Sequence, residues 1–131
     1  MDTLTDSSVI IALERGQLSA KDFGNLGKSL LVLSAITVSE LLHGVHRADE
    51  SRRLKREAFV ESILTRARTL DFDMAAARVH AQLSAALAAS GTSIGAHDLL
   101  IGSTAVAYGL RLLTRKPKDF GRIPGLKVAT V

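Results

Sequence analysis

The chain has 131 residues, 47% of them hydrophobic and 23% charged, with no cysteine; this balance excludes a disordered chain and points to one globular domain, and the missing thiols exclude disulfide scaffolds, thiolate zinc sites, iron–sulfur clusters and cysteine nucleophiles. Seventeen Lys and Arg against 13 Asp and Glu give a net charge of +4, concentrated in residues 47–68 and 111–127, so a polyanion is an expected partner, with a solvated helix face as the plain alternative for the first stretch. Asp2 and Asp6 stand where an export signal would carry lysine or arginine, and no apolar run reaches the ~20 residues of a membrane span, so a reducing cytoplasm is the expected location.

Leu4 and Thr5 read as a first strand, after which Asp6-Ser7-Ser8 opens a helix from Val9 to Arg15 that Gly16 closes. The aliphatic run Leu30 to Leu33 is short enough for a buried strand. In the helix expected after it, Val38, Leu41, Leu42 and Val45 recur at i, i+3, i+4 and i+7 and form one apolar stripe. The first basic stretch carries Leu54, Ala58, Ile63 and Leu64 among its charges and reads as a second, more exposed helix. Thr69 to Phe72 make the next strand. Asp73 is placed to cap an alanine-rich helix from Met74 to Ala89, ended by Ser90-Gly91. A buried helix follows from Leu99 to Leu110, then the strand Leu112-Leu113, a basic loop containing Pro117, and a last strand near Leu126 to Val128. Strands alternating with helices predict a three-layer α/β fold with a central, mainly parallel sheet and helices on both faces.

In such sheets, sites form beyond the carboxyl ends of strands where the strand order reverses, so acids just after strands are candidate functional residues. Four acids stand at element junctions: Asp6 after the first strand, Glu40 near a helix start, Asp98 at the head of the small-residue helix, and Asp119 after Leu112-Leu113. Each also has a structural reading. Asp6 fits an N-cap, Thr37 to Glu40 fits a capping box, Asp98 lies at a helix N-terminus whose dipole favours a carboxylate by ~0.3–1 kcal/mol, and Asp119 fits a solvated loop acid. Asp98 is followed by Leu99, Leu100 and Ile101, and a carboxylate in apolar surroundings needs a partner or a metal. Gathered at one sheet edge, four carboxylates repel unless something positive lies between them. Oxygen-only ligands suit Mg2+ or Mn2+, ions that activate water and hold the oxygens of a phosphoryl displacement. The basic run Arg115-Lys116-Pro117-Lys118 would then supply phosphate contacts.

Four segments in order, Asp6-Ser7-Ser8-Val9, Ser34 to Gly44, Ile94 to Ile101 and Thr114 to Phe120, resemble the motifs of PIN-domain ribonucleases, and the match spans the whole chain. It is most similar to the VapC-type toxins of bacterial toxin–antitoxin pairs. The resemblance implies a Mg2+-dependent endoribonuclease, with Mn2+ as a substitute, whose catalytic and metal-binding acids are Asp6, Glu40, Asp98 and Asp119. Ser8 and Thr114 match hydroxyl positions lining the family's site, and with Arg115 and Lys116 they would face the RNA. The resemblance also implies a homodimer and a VapB-type antitoxin that blocks the site in a toxin–antitoxin hetero-oligomer. One departure stands out: Lys116 occupies a position where the family often has asparagine, and its ammonium is placed to pair with Asp119.

Weaker signals resolve to blander readings. Gly24-Asn25-Leu26-Gly27-Lys28-Ser29 ends like a phosphate-binding loop, but its first glycine is two residues too close and a strand follows. Asp73 in Asp71-Phe72-Asp73 reads as a helix cap before it reads as half of a phospho-acceptor pair. His43 and His46 lie one turn apart without a third ligand at helical spacing. His97 diverges by ~100° from Asp98 around a helix and is read as peripheral. Two rival functions are a non-catalytic nucleic-acid-binding module, whose acids only cap helices, and a receiver-like signalling domain, which needs an acidic pair where this chain has Asp6-Ser7.

Overall fold

The computed structural model describes residues 3–19, 21–22 and 31–131, so the glycine-containing 24–29 segment and residue 30 of the expected second strand lie outside the described residues. Five strands, β1 (Thr3–Thr5), β2 (Leu31–Ser34), β3 (Ala67–Leu70), β4 (Arg111–Thr114) and β5 (Val128–Thr130), form one sheet in the order β3-β2-β1-β4-β5. All of their pairings are parallel. The helices among the described residues are α1 (Ser7–Glu14), α2 (Ala35–Arg47), α3 (Glu50–Arg66), α4 (Met74–Ala89), α5 (Ala96–Tyr108) and the single-turn α6 (Pro117–Phe120).

Successive strand residues point to opposite faces, so a parallel sheet covered on both sides needs apolar residues at consecutive positions. Val32 joins Leu4, Leu70 and Leu112 in one core, closed by Leu83 of α4, Ile101 and Ala105 of α5, and Phe120 and Ile123. Leu33, one residue along, belongs to the other core with Ile10 of α1, Leu41 and Val45 of α2, and Val60 and Ile63 of α3. The result is the expected three-layer α/β architecture. Parallel crossovers are right-handed, so the helices change face when the chain reverses its travel across the sheet. From β1 through β2 to β3 the chain moves one way with α1, α2 and α3 on one side; it then passes back beyond β1 to β4 with α4 and α5 on the other. The reversal falls between β1 and β4. There Asp6 N donates to Leu113 O at 2.9 Å, which sets the first residue after β1 beside the end of β4.

α4 has the predicted bounds, with Asp73 Oδ1 accepting from Ala76 N at 3.0 Å. Other boundaries move. α1 begins at Ser7 instead of Val9, and α5 begins at Ala96, three residues before Leu99, with Gly95 at its N-cap. β3 lies two residues earlier than expected because it pairs with β2 from Leu31↔Ala67 to Ser34↔Leu70. β5 lies two residues later, fixed by Leu112↔Val128 and Thr114↔Thr130. The expected capping box at Thr37 to Glu40 is not formed: α2 starts at Ala35, and the Ser34 hydroxyl accepts from Thr37 N at 3.0 Å. The basic loop becomes the one-turn α6, whose Pro117 sits in the first turn, where a missing N–H is tolerated.

Candidate active site

Asp6 is the residue around which the site is built. It occupies the N-cap position of α1 with extended backbone, yet its side chain makes no capping hydrogen bond. The side chain instead enters the gap between β1 and β4, with no solvent exposure. Its Oδ2 accepts from the Ser8 hydroxyl at 2.7 Å and from the Thr114 hydroxyl at 2.9 Å. Each hydroxyl in turn accepts a backbone N–H of the segment after β4: Arg115 N to Ser8 at 3.1 Å and Lys116 N to Thr114 at 2.9 Å. Both hydroxyls are thereby used as donor and acceptor, a closed arrangement that orients a buried charge. Asp6 Oδ1 receives only a long 3.5 Å contact from Ser7.

The second wall comes from α2 and α5. Glu40, half-buried on α2, accepts from Ser7 Oγ at 3.2 Å on Oε1 and meets His97 Nδ1 at 3.4 Å through Oε2. His97 therefore touches Glu40 and not its neighbour Asp98, as its angular separation on α5 requires. Asp98 lies in the first turn of α5, where the helix dipole favours its charge. Its Oδ1 pairs with Lys116 Nζ at 3.3 Å. That pairing corrects the sequence expectation, in which Lys116 meets Asp119: Lys116 is the N-cap residue of α6 and reaches back across the site, while Asp119 follows in the first turn. The Lys116 ammonium also lies 5.7 Å from the Phe120 ring centroid, within cation–π range. Burial works to lower the Lys116 pKa, but the charges of Asp6, Asp98 and Glu40, with the hydrogen bond to Asp98, outweigh it and raise the value above that of a free lysine.

The fold thus brings Asp6, Glu40, Asp98, Ser8, Thr114 and Lys116 to one place from the ends of β1 and β4 and the starts of α2 and α5. Asp119 is half-buried on α6, and among the described residues its carboxylate has no hydrogen bond or ion pair. Arg115 is exposed at the rim. Two contacts escaped the sequence reading, Ser7 to Glu40 and His97 to Glu40, and the one available signal was the adjacency of Ser7 to Asp6. His43 and His46 are exposed on α2. The site's carboxylates form an oxygen-only donor set of the kind that hard divalent ions prefer. Among the described residues no three metal-ligating side chains converge on a common point, and the cation standing among the carboxylates is Lys116.

Comparison with known proteins gives this geometry a family. A family model described as the PIN domain matches residues 3–126. The whole chain aligns with 97% of the "Ribonuclease VapC1" of Rickettsia felis at 40% identity over 132 residues. A second relative, the "tRNA(fMet)-specific endonuclease VapC" of Salmonella typhimurium, is 36% identical over 79% of this chain and 77% of its own length. Among solved structures, DNA-bound VapBC from Salmonella typhimurium superposes with a TM-score of 0.90 at 29% identity, covering 99% of this chain and 98% of that one. A reversal of strand order at β1 and β4, a buried aspartate beyond β1 and a family match over nearly the full length agree: the chain belongs to the PIN-domain family, among the VapC proteins.

Proposed function

We propose that the chain is a Mg2+-dependent endoribonuclease that hydrolyses RNA phosphodiester bonds and serves as the toxin of a toxin–antitoxin pair. Asp6 carries the reading: a carboxylate with no solvent exposure, oriented by two hydroxyls, that shares its site with Asp98, Glu40 and a lysine. A helix cap needs none of this. Asp6 and Asp98, with Glu40, would hold Mg2+ or Mn2+, and Asp119 on α6 is the proposed fourth carboxylate. Bound there, the ion would polarise the scissile phosphate and lower the pKa of the attacking water.

The protein's own groups do the positioning. Ser8 and Thr114 fix Asp6 Oδ2, and Oδ1, with only the long Ser7 contact, is the oxygen that would meet an ion. Ser7 and His97 contact the two oxygens of Glu40, and this carboxylate would then be oriented to accept a proton from an attacking water. Arg115 and Lys118, exposed at the mouth, would take the flanking phosphates, with Lys116 deeper in the site. The VapBC complex among the similar structures extends the proposal to a VapB-type antitoxin and a hetero-oligomer of the two proteins, and a homodimer of this chain is proposed alongside. A groove lined by residues of α1, α2 and α3, among them Ile10, Ile11, Leu41, Phe59 and Val60, includes Glu40 of the site in its wall and would give an inhibitory segment a place to bind beside it. No helix among the described residues is long and apolar enough to cross a membrane, and the cytoplasm is the proposed location.

The test is cleavage by antitoxin-free protein. Total bacterial RNA and, separately, initiator tRNA are incubated with Mg2+, with Mn2+, with chelator, and with Asp98→Asn in place of wild type. Discrete fragments are expected that vanish with chelator and with the variant, while the thermal midpoint of the variant stays close to wild type. Undiminished cleavage by Asp98→Asn would overturn the assignment. Equal RNA binding by two inert proteins, insensitive to chelator, would instead favour the non-catalytic binding module.

A further inference from the structure

We infer that the groove beside Glu40 continues the site as a track for single-stranded RNA, in which Phe59 stacks on a base and Arg15, Arg52 and Lys55 bind phosphates away from the scissile bond. The inference rests on the ribonuclease reading above and adds a second stretch of substrate contact to it. Glu40 and Phe59 line the same groove, and Phe59 also lines a wider cleft between the end of α1 and the first turns of α3. The two hollows share Glu14, Arg15, Arg56 and Phe59, so one continuous path leads from a carboxylate of the site to Arg52 and Lys55. The cleft encloses about 350 Å3, within the ~300–1,000 Å3 of ligand sites. Along α3, the path from Val60 back to Arg52 is about 12 Å long at ~1.5 Å per residue, room for roughly three or four nucleotides at the ~3.4 Å spacing of a stacked strand. An inhibitory segment in the groove would lie where this RNA runs.

Charge and an aromatic ring identify the occupant. The cleft is lined by four basic side chains and one acid. Arg56 is spent on that acid, Glu14, at 3.3 Å. Arg15, Arg52 and Lys55 are exposed and, among the described residues, have no ion pair or side-chain hydrogen bond. Arg53, by contrast, is engaged with the carbonyls of His46 and Ala48. Free cations beside a half-buried ring match the way single-stranded nucleic acids are held, with the backbone in a basic groove and bases on aromatic faces. An acidic peptide would satisfy the cations but bring no base to Phe59. Gly44 is a further observation. It stands inside α2, where glycine lowers stability relative to alanine. A Cβ there would meet nothing within 4 Å, so packing does not call for a glycine, and its absent side chain leaves the groove wall open.

The experiment measures fluorescence anisotropy of labelled oligouridylates of about 4 and about 16 nucleotides with the antitoxin-free full chain, in chelator and over a range of salt. Wild type is expected to bind the longer strand more tightly than the shorter. The double variant Arg52→Ala/Lys55→Ala should bind the longer strand about tenfold more weakly, with a log–log salt slope reduced by about 1.4, at ~0.7 per phosphate contact. Its affinity for the shorter strand should stay near that of wild type. Phe59→Leu should weaken the longer strand by about fivefold or more, and Gly44→Gln should weaken it without lowering the thermal midpoint. Arg53→Ala is the control expected to match wild type on both strands. A thermal melt accompanies each protein, and the double variant, confined to exposed side chains, carries the test should Phe59→Leu fail to fold. Equal affinity of wild type and the double variant for the longer strand would overturn the inference, as would equal affinity of wild type for both lengths. Polyglutamate probes the acidic-peptide alternative: its loss from the double variant with RNA binding intact would also overturn the track. Cleavage in Mg2+ separates this inference from the reading beneath it. Cleavage of the longer strand with the same KM in wild type and the double variant would keep the ribonuclease and remove the track. Length-dependent binding that the variants lose, in a protein that cleaves no RNA, would uphold the track and remove the ribonuclease.

Discussion

At the scale of single residues, the decisive observation is how the Asp6 carboxylate is satisfied. Thr114 is fully buried, donates to Asp6 and accepts from Lys116 N, so its hydroxyl serves two partners at once. Thr114→Val keeps the shape and removes both hydrogen bonds, leaving a buried carboxylate short of a donor and an N–H without an acceptor. Urea denaturation at neutral pH should show a loss of about 1–3 kcal/mol, and an unchanged midpoint would mean the hydroxyl is dispensable. Asp6, Ser8 and Thr114 were legible because they sit in short motifs at strand ends. Ser7 and His97 were not, since they meet Glu40 across 33 and 57 residues of chain. The partner of Lys116 was misjudged for a related reason: proximity in sequence favoured Asp119, whereas the direction of the side chain from the N-cap of α6 favours Asp98.

At the scale of elements, α4 shows what local signals can achieve. Asp73 precedes a run of alanines and caps it, and the Tyr108 hydroxyl from α5 donates to its other oxygen at 2.8 Å. The Ala76 N–H first and the Tyr108 hydroxyl second hold the Asp73 carboxyl below its usual value. A carboxyl depressed in the folded state stabilises above its unfolded pKa and loses that contribution as the pH falls through the folded value. Asp73→Ala should therefore melt below wild type at pH 7, and the gap should narrow as the pH drops beneath the ordinary carboxylate range. A gap independent of pH would show that the charge plays no part. The strands were less legible than the helices. β3 and β5 were each displaced by two residues, a shift that preserves which side chains face which core and so leaves the hydrophobic pattern nearly unchanged. Pairing with β2 and β4 decides between the alternatives.

At the scale of the whole molecule, the two basic stretches have different fates. In the first, Arg53 donates to the carbonyls of His46 and Ala48 at the end of α2, and Arg56 pairs with Glu14 of α1. In the second, the exposed Arg115 and Lys118 lie beside the carboxylate site. The affinity of the Asp98→Asn protein, chosen because it is expected not to cleave, for single-stranded RNA should fall with rising salt, as expected when phosphates release counterions. Adding Arg115→Ala or Lys118→Ala should reduce the log–log salt slope by roughly one contact each, whereas adding Arg53→Ala should leave the slope unchanged. Equal effects from all three would mean that binding is spread over the surface without regard to the site.

The sequence by itself determined the fold class and singled out the four acids and the hydroxyls beside them as candidates, because alternating apolar runs and motifs at strand ends are local properties. Only the tertiary structure decided which of those residues meet. The reversal between β1 and β4 carries residues 6 and 114 into hydrogen-bonding contact, and the start of α5 brings Asp98 under Lys116. Strand order, register and the direction of a side chain from its helix arise from the packing of distant segments, and no window of neighbouring residues contains them.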